Sequence, residues 1–437
     1  MKRGLFRGLL GFLAGDAGVR AGDVTALAEA LLSGRGQISG AVFARQLFDD
    51  YAALGPERRL AFLETLATRF GADPVRLERA ISEYRSRPGP EAALALHVSA
   101  EARRQELFRR LNRAPGGTPD LVRMRADLLR HLGSHPKLAV VDADFVHVFS
   151  SWFSPGFLVL RRIDWSTPAQ ILERIIRYEA VHAITSWDDL RRRLDPGDRR
   201  CFAFFHPALE NEPLIFVEVA LTDEMPAAIA PLLEEARHPL LLRRATTAVF
   251  YSTSNCQAGL KGITFGHFLL KRVAEELKVE VPSLETFVTL SPVPGFSAWL
   301  RRERDSRSPT FLTSVDRALL RETNVPAGLG SASAPRALVK LLTSAVVHYL
   351  LLAADASGRP ADPVARFHLG NGARLERVNW MGDPSPRGLE TSAGFMVNYV
   401  YDLARIDRNH ELFENLGERP ASRAIRRLLR EAPSTRA

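Results

Sequence analysis

A chain of 437 residues is too long for one compact core and calls for two domains. Its 46% hydrophobic and 25% charged content is ordinary for a globular protein and excludes a low-complexity or fibrous design. The balance is basic, 59 Lys+Arg against 50 Asp+Glu. No zinc-finger, helix-turn-helix or RNA-binding signature accompanies it, so no nucleic-acid partner is expected; a polyanionic small molecule would use the charge as well, and solvated faces account for the Arg runs, so the charge itself decides little. Cys201 and Cys256 lie too far apart for a CxxC zinc site and are too few for a disulfide framework, which fits a reducing, cytoplasmic compartment of bacterial type.

The first 20 residues, MKRGLFRGLLGFLAGDAGVR, read as a short amphipathic helix. Arg7 interrupts any secretory core, while an organellar presequence would share the basic residues and the lack of acid before Asp16. From Asp23, a natural helix cap, to Leu132 every periodic stretch is helical. Leu60, Phe62, Leu63, Leu66 and Phe70 form one stripe ended by Gly71, and Glu91–Leu111 and Pro119–Leu132 continue the pattern. Residues 1–152 are therefore expected to be a helical bundle, with no visible chemistry.

Near Gly156 the pattern changes. Phe157–Asp164 reads as a strand, and Ser166-Thr167-Pro168 as a hydroxyl-capped start to a helix carrying Ile171, Leu172, Ile175 and Ile176. Cys201–His206 and Leu214–Leu221 read as a hairpin. Thr246–Phe296 then gives a strand, a turn marked by Gly259, Gly262 and Gly266, a helix, a strand over Glu285–Leu290, and Ser291-Pro292-Val293-Pro294-Gly295. The order β-α-α-β-β-α-β-α-β predicts a mixed α/β sheet, so residues 153–437 are expected to form an α/β domain. Arg301–Pro335 reads as surface loop and short helix, and Arg336–Asp355 as an apolar helix. The apolar run Val346–Ala354 is too short to span a bilayer, so no membrane partner is expected.

Local sequence leaves the chemistry open. A glycine-rich turn feeding a helix offers N–H groups and the positive end of a helix dipole, which suits a pyrophosphate. This one lacks the Lys-Ser/Thr ending of a P-loop and the dinucleotide fingerprint, and a ligand-free connection would use the same glycines. Ser291 precedes a proline as simple turn serines do, without a GxSxG elbow, and His368 is one of 11 histidines.

Longer motifs are more specific. Leu290–Phe296 (LSPVPGF), Phe367–Ala373 (FHLGNGA) and Val378–Asp383 (VNWMGD), with GFLVLRRIDW at Gly156–Trp165 and GFMVNYVYDL at Gly394–Leu403, resemble the malonyl-CoA decarboxylase family. The resemblance covers most of the chain after about residue 150. It implies a GNAT-like catalytic fold, in which the strands Thr246–Ser254 and Glu285–Leu290 splay to admit a pantetheine arm. It implies Ser291 as a hydrogen-bonding and proton-accepting catalytic residue and His368 as the proton donor; Tyr401, in NYVY, reads equally as a hydroxyl behind them or as a core aromatic. It places malonyl-CoA on Lys261, Gly262, Ile263, Thr264, Phe265, Gly266 and His267; Lys261 stands where many relatives carry Gln, and Phe265 and His267 also depart from commoner choices. The implied reaction turns malonyl-CoA into acetyl-CoA and CO2, with a GNAT-type acyltransferase as the rival reading. No metal or organic cofactor is expected, since the thioester is itself the electron sink. The helical domain would form a homo-oligomer, a tetramer among the options. An imidazolium donor would give a pH limb near histidine's ordinary pKa of about 6.5.

Overall fold

The computed structural model describes residues 22–33, 37–263, 269–323 and 334–429, so the helix expected over the first 20 residues lies outside the described residues. Contacts divide the chain into two units. One comprises Met1–Val159 with Phe205–Leu214 and Asn255–Phe265; the other comprises Leu160–Phe204, Ile215–Ser254 and Gly266–Ala437.

The first unit is helical: α1 (Val24–Leu32), α2 (Gln37–Ala53), α3 (Pro56–Arg69), α4 (Pro74–Ser86), α5 (Pro90–Ala100), α6 (Arg103–Asn112), α7 (Gly117–His131) and α8 (Ala139–Trp152). Asp23 caps α1 by accepting the Ala26 amide. Pro56, Pro74 and Pro90 each open a helix, where a missing N–H leaves no bond unmade. The pattern over Glu91–Leu111 is cut at Glu101 and Ala102, both extended, which divides it into α5 and α6. Phe108 and Phe145 stack with centroids 4.0 Å apart, Phe149 follows at 5.4 Å from Phe145, and Leu63, Leu66 and Leu107 are fully buried in the same unit.

Part of this unit comes from far along the chain. A Cβ on Gly259 would fall 1.9 Å from the carbonyl oxygen of Val122 on α7, so only glycine permits that approach. Arg125, 2% exposed, donates from Nη1 to the carbonyls of Gly259 (2.7 Å) and Lys261 (2.9 Å) and from Nε to Asp142 (2.8 Å).

The second unit is built on eight strands: β1 (Val159–Ile163), β2 (Arg199–Phe205), β3 (Ile215–Thr222), β4 (Thr247–Asn255), β5 (Thr286–Thr289), β6 (Ser291–Pro292), β7 (Arg374–Asn379) and β8 (Met396–Val400). Helices α9 (Ala169–Tyr178) and α10 (Trp187–Leu194) precede β2, α11 (Ala230–Leu233) precedes β4, and α12 (Leu269–Glu280) joins β4 to β5. Between β6 and β7 run α13 (Phe296–Asp305), α14 (Ser314–Glu322), α15 (Arg336–Leu351) and α16 (Pro363–Gly370). The spatial order is β1-β2-β3-β4-β5-β8-β6, with β7 also paired to β8, which makes a mixed α/β sheet as expected.

The β2–β3 hairpin is antiparallel, as its sequence predicts. The helix after β1 is not hydroxyl-capped: α9 starts on Pro168 with no side-chain cap, because the Thr167 hydroxyl is taken by the Asp164 amide and the Ser166 hydroxyl by the Asp164 carboxylate. β4 and β5 are parallel over Thr247–Phe250 and Thr286–Thr289, and the last link is the Leu290 amide on the Phe250 carbonyl. Beyond that point β4 continues to Asn255, while Ser291 and Pro292 pair instead with Val397 and Met396 of β8. The two strands expected to splay therefore part at Phe250 and Leu290. No helix among the described residues is long and apolar enough to cross a membrane.

Candidate active site

Ser291 stands where the chain leaves β4 and joins β8. Pro292 keeps it extended, and its neighbours hold the turn: the Val293 amide donates to Ser392 Oγ and the Phe296 amide to the Val293 carbonyl. His368 comes from the last turn of α16, which Asp362 caps by accepting the Val364 and Ala365 amides at 2.9 Å each, with Pro363 in the first turn. Tyr401 follows β8, tied by its amide to the Phe287 carbonyl. Seventy-seven residues separate the serine from the histidine, yet Ser291 Oγ lies 3.0 Å from His368 Nε2.

The contacts form a line. Tyr401 Oη is 2.8 Å from His368 Nδ1, and Ser291 Oγ donates to Thr289 Oγ1 at 2.9 Å. Thr289 Oγ1 also accepts the Tyr399 amide at 3.1 Å. The set is consistent with one tautomer, in which Tyr401 O–H donates to Nδ1 and Nε2–H donates to Ser291. The imidazole stacks on the Tyr399 ring at 4.8 Å between centroids. Ser291, His368 and Tyr401 are all buried.

Burial sets the charge state. It pulls the His368 pKa down to about 3, leaving the imidazole neutral at physiological pH, and pushes the Tyr401 hydroxyl well above its ordinary value. A histidine limb near 6.5 is therefore not expected of the free protein.

Ser291, His368 and Tyr401 are thus brought together. Lys261, Gly262 and Ile263 belong to the first unit, where Gly262 adopts φ +80 in a turn beside exposed Lys261 and buried Ile263. The Lys261 and Ile263 amides donate to the Ala258 and Leu260 carbonyls. Thr264, Phe265, Gly266 and His267 lie outside the described residues. Sequence reasoning missed Thr289, Tyr399 and Asp362. The two-residue spacing of Thr289 from Ser291 and of Tyr399 from Tyr401 puts each pair on one strand face, and Asp362-Pro363 is a helix-start signal.

The family model for the malonyl-CoA decarboxylase C-terminal domain matches residues 156–437, and that for the N-terminal domain matches residues 70–153. The mitochondrial malonyl-CoA decarboxylase of Anser anser anser is 36% identical over 383 residues, covering 79% of this chain and 75% of its own; that of Rattus norvegicus is 34% identical, covering 80% and 78%. The crystal structure of malonyl-CoA decarboxylase from Rhodopseudomonas palustris is 54% identical with a TM-score of 0.90, and that from Agrobacterium vitis 49% with 0.87, each covering 94% of this chain and 100% of its own. The line of hydroxyls and imidazole built on LSPVPGF and FHLGNGA therefore sits in a chain that belongs to the malonyl-CoA decarboxylase family.

Proposed function

We propose that this chain converts malonyl-CoA to acetyl-CoA and CO2, with Ser291 and His368 as the catalytic residues. The observation that carries the reading is the buried contact between Ser291 Oγ and His368 Nε2, 3.0 Å, made by two motifs of this family at the point where β4 and β5 part. When the bond from C2 to the carboxylate breaks, its electron pair passes into the thioester and CO2 leaves. In this reading Ser291 O–H turns from Thr289 Oγ1 to donate to the thioester oxygen as charge gathers there. The enolate then takes a proton at C2 from His368 Nε2, the Tyr401 proton can follow to Nδ1, and solvent restores Tyr401. One proton is consumed per turnover, as the balance requires.

A neutral histidine suits this chemistry. An imidazolium beside the substrate carboxylate would hold the charge that has to leave. A thioester enolate is basic enough to take a proton from a neutral imidazole. The thioester already accepts the electron pair, so no step calls for a metal or organic cofactor.

Lys261–His267 is the segment we assign to the coenzyme phosphates, on the strength of Gly262's left-handed backbone and the exposed Lys261. Homo-oligomerisation through the helical unit is supported by α5, whose sequence PEAALALHVSA is largely apolar yet buries only Ala92 and exposes Leu94 and Val98. Burial of both cysteines and their placement in different units agree with a reducing cytoplasm.

The test is to incubate purified protein with malonyl-CoA, with a chelator and no amine, and follow acetyl-CoA and CO2. Stoichiometric acetyl-CoA and CO2 are expected. Product formation only when an amine acceptor is supplied would favour the acyltransferase; activity lost to chelator and restored by a metal would reject the cofactor-free route.

A further inference from the structure

The sequence motifs mark Ser291 and His368, but neither explains how two segments 77 residues apart hold a 3.0 Å contact. Asp362 lies between them. It is fully buried, and its Oδ1 is spent on the Val364 and Ala365 amides at the start of α16, the helix that carries His368. Its Oδ2 has no hydrogen bond of normal geometry, yet faces the Gly295 amide, which ends the Ser291 turn and caps α13, and the Tyr349 hydroxyl of α15. The fit is tight: a Cβ on Gly295 would fall 2.2 Å from Tyr349 Oη and 3.7 Å from Asp362 Oδ2. One carboxylate thus spans the first turn of the histidine helix and the last residue of the serine turn.

We propose that Asp362 is a positioning residue that locks the Ser291 turn to the His368 helix and so sets the contact between serine and histidine. The inference rests on the reading of that pair as the catalytic one. Its charge matters, because only the carboxylate can offer Oδ1 to the two helix-start amides and an acceptor oxygen, Oδ2, to the Gly295 amide at the same time. Burial pushes its pKa up to about 6, while the surrounding donors, the Ala365, Gly295 and Val364 amides and the Tyr349 hydroxyl, pull the other way. The titratable and charged groups around the Asp362–Tyr349 pair are Tyr399 on β8, Arg302 on α13 and Arg366 on α16 itself. Burial holds the Tyr399 hydroxyl well above its ordinary value and pulls His368 on α16 down to about 3, so the acid limb near pH 6 is assigned to Asp362.

The experiment measures kcat and KM for malonyl-CoA against pH in the full chain, for wild type, Asp362→Asn and Tyr349→Phe, beside their melting curves. Asn keeps the capping oxygen but presents an amide N–H to the Gly295 amide. Asp362→Asn is therefore expected to keep its fold and KM, lose kcat by about 10- to 100-fold, and lose the limb near pH 6. Tyr349→Phe removes a donor that favours the charged form, so its limb should move to higher pH; it decides the matter if Asp362→Asn does not fold. Wild-type kcat and an unmoved limb in a folded variant, with only the melting point altered, would reduce Asp362 to a helix cap and overturn the proposal. Ser291→Ala and His368→Asn run alongside. If they turn over normally, the catalytic pair itself is wrong and the proposal falls with it; if they are inactive while Asp362→Asn is normal, only the proposal falls.

Discussion

At the scale of residues, the site is governed by burial more than by charge. Burial shifts the pKa values of His368 and Asp362 in opposite senses from their ordinary ones, and the stability consequences also oppose. The His368 pKa is depressed to about 3, so its contribution is present above pH 6.5 and is lost as pH falls from there towards 3. That of Asp362 is raised to about 6, so its contribution is present below pH 3.8 and is lost as pH rises through 6. His368→Asn should accordingly flatten the loss of thermal stability on acidification, measured as melting temperature between pH 7 and 4. An unchanged acid slope would mean that the imidazole is not held neutral in the fold. Tyr401→Phe should leave KM alone and lower kcat, since only the proton following to Nδ1 is removed; equal turnover would place Tyr401 outside the relay. Ser291, His368 and Tyr401 were legible because each sits in a long motif. The neutral state of the histidine was not, because it depends on the Tyr399 ring and on strands that only the fold brings around it.

At the scale of elements, the hairpin, the β4–α12–β5 crossover and the helical bundle could be read from periodicity. β7 and β8 could not. β7 carries Arg374, Glu376 and Arg377 among its six residues and reads as surface; the fold answers those charges with an Arg374–Glu376 pair at 2.8 Å and with Arg377 bonds to Asn398 and to the Met225 and Pro226 carbonyls. β8 is buried at every residue but Val400, so it lacks the alternation that marks a half-buried strand. The glycine turn was legible as a turn, but Gly259 is held by close packing on Val122, which only tertiary structure reveals. Gly259→Ala must push against that carbonyl and should lower the melting temperature; a wild-type value would show that the approach is loose. On α5, Leu94→Glu with Val98→Glu should dissociate the homo-oligomer proposed above without unfolding α5, as read by light scattering and circular dichroism. An unchanged mass would move the interface elsewhere.

At the scale of the whole molecule, the sequence suggests a boundary near residue 152, but the helical unit also takes in Phe205–Leu214 and Asn255–Phe265. Contacts between segments more than a hundred residues apart leave no local periodicity, so this sharing could not be read in advance. It bears on function, because Arg125 of α7 holds the carbonyls of Gly259 and Lys261 at the start of the segment assigned to the coenzyme. Residues 153–437 expressed alone should therefore lose CoA affinity as well as assembly, by calorimetry. Full affinity in a soluble truncation would confine the helical unit to assembly. The central claim is that a neutral His368, paired with Ser291, delivers the proton that completes decarboxylation. It is tested most directly by malonyl-CoA turnover of His368→Asn beside wild type from pH 5 to 9, with folding and CoA affinity checked on the same samples. The expected result is turnover lower by about 10²–10⁴-fold at every pH, with CoA affinity retained and the acid limb near pH 6 assigned to Asp362 still present in the variant. Near-normal turnover of the folded variant, or loss of the wild-type acid limb in His368→Asn, would contradict it.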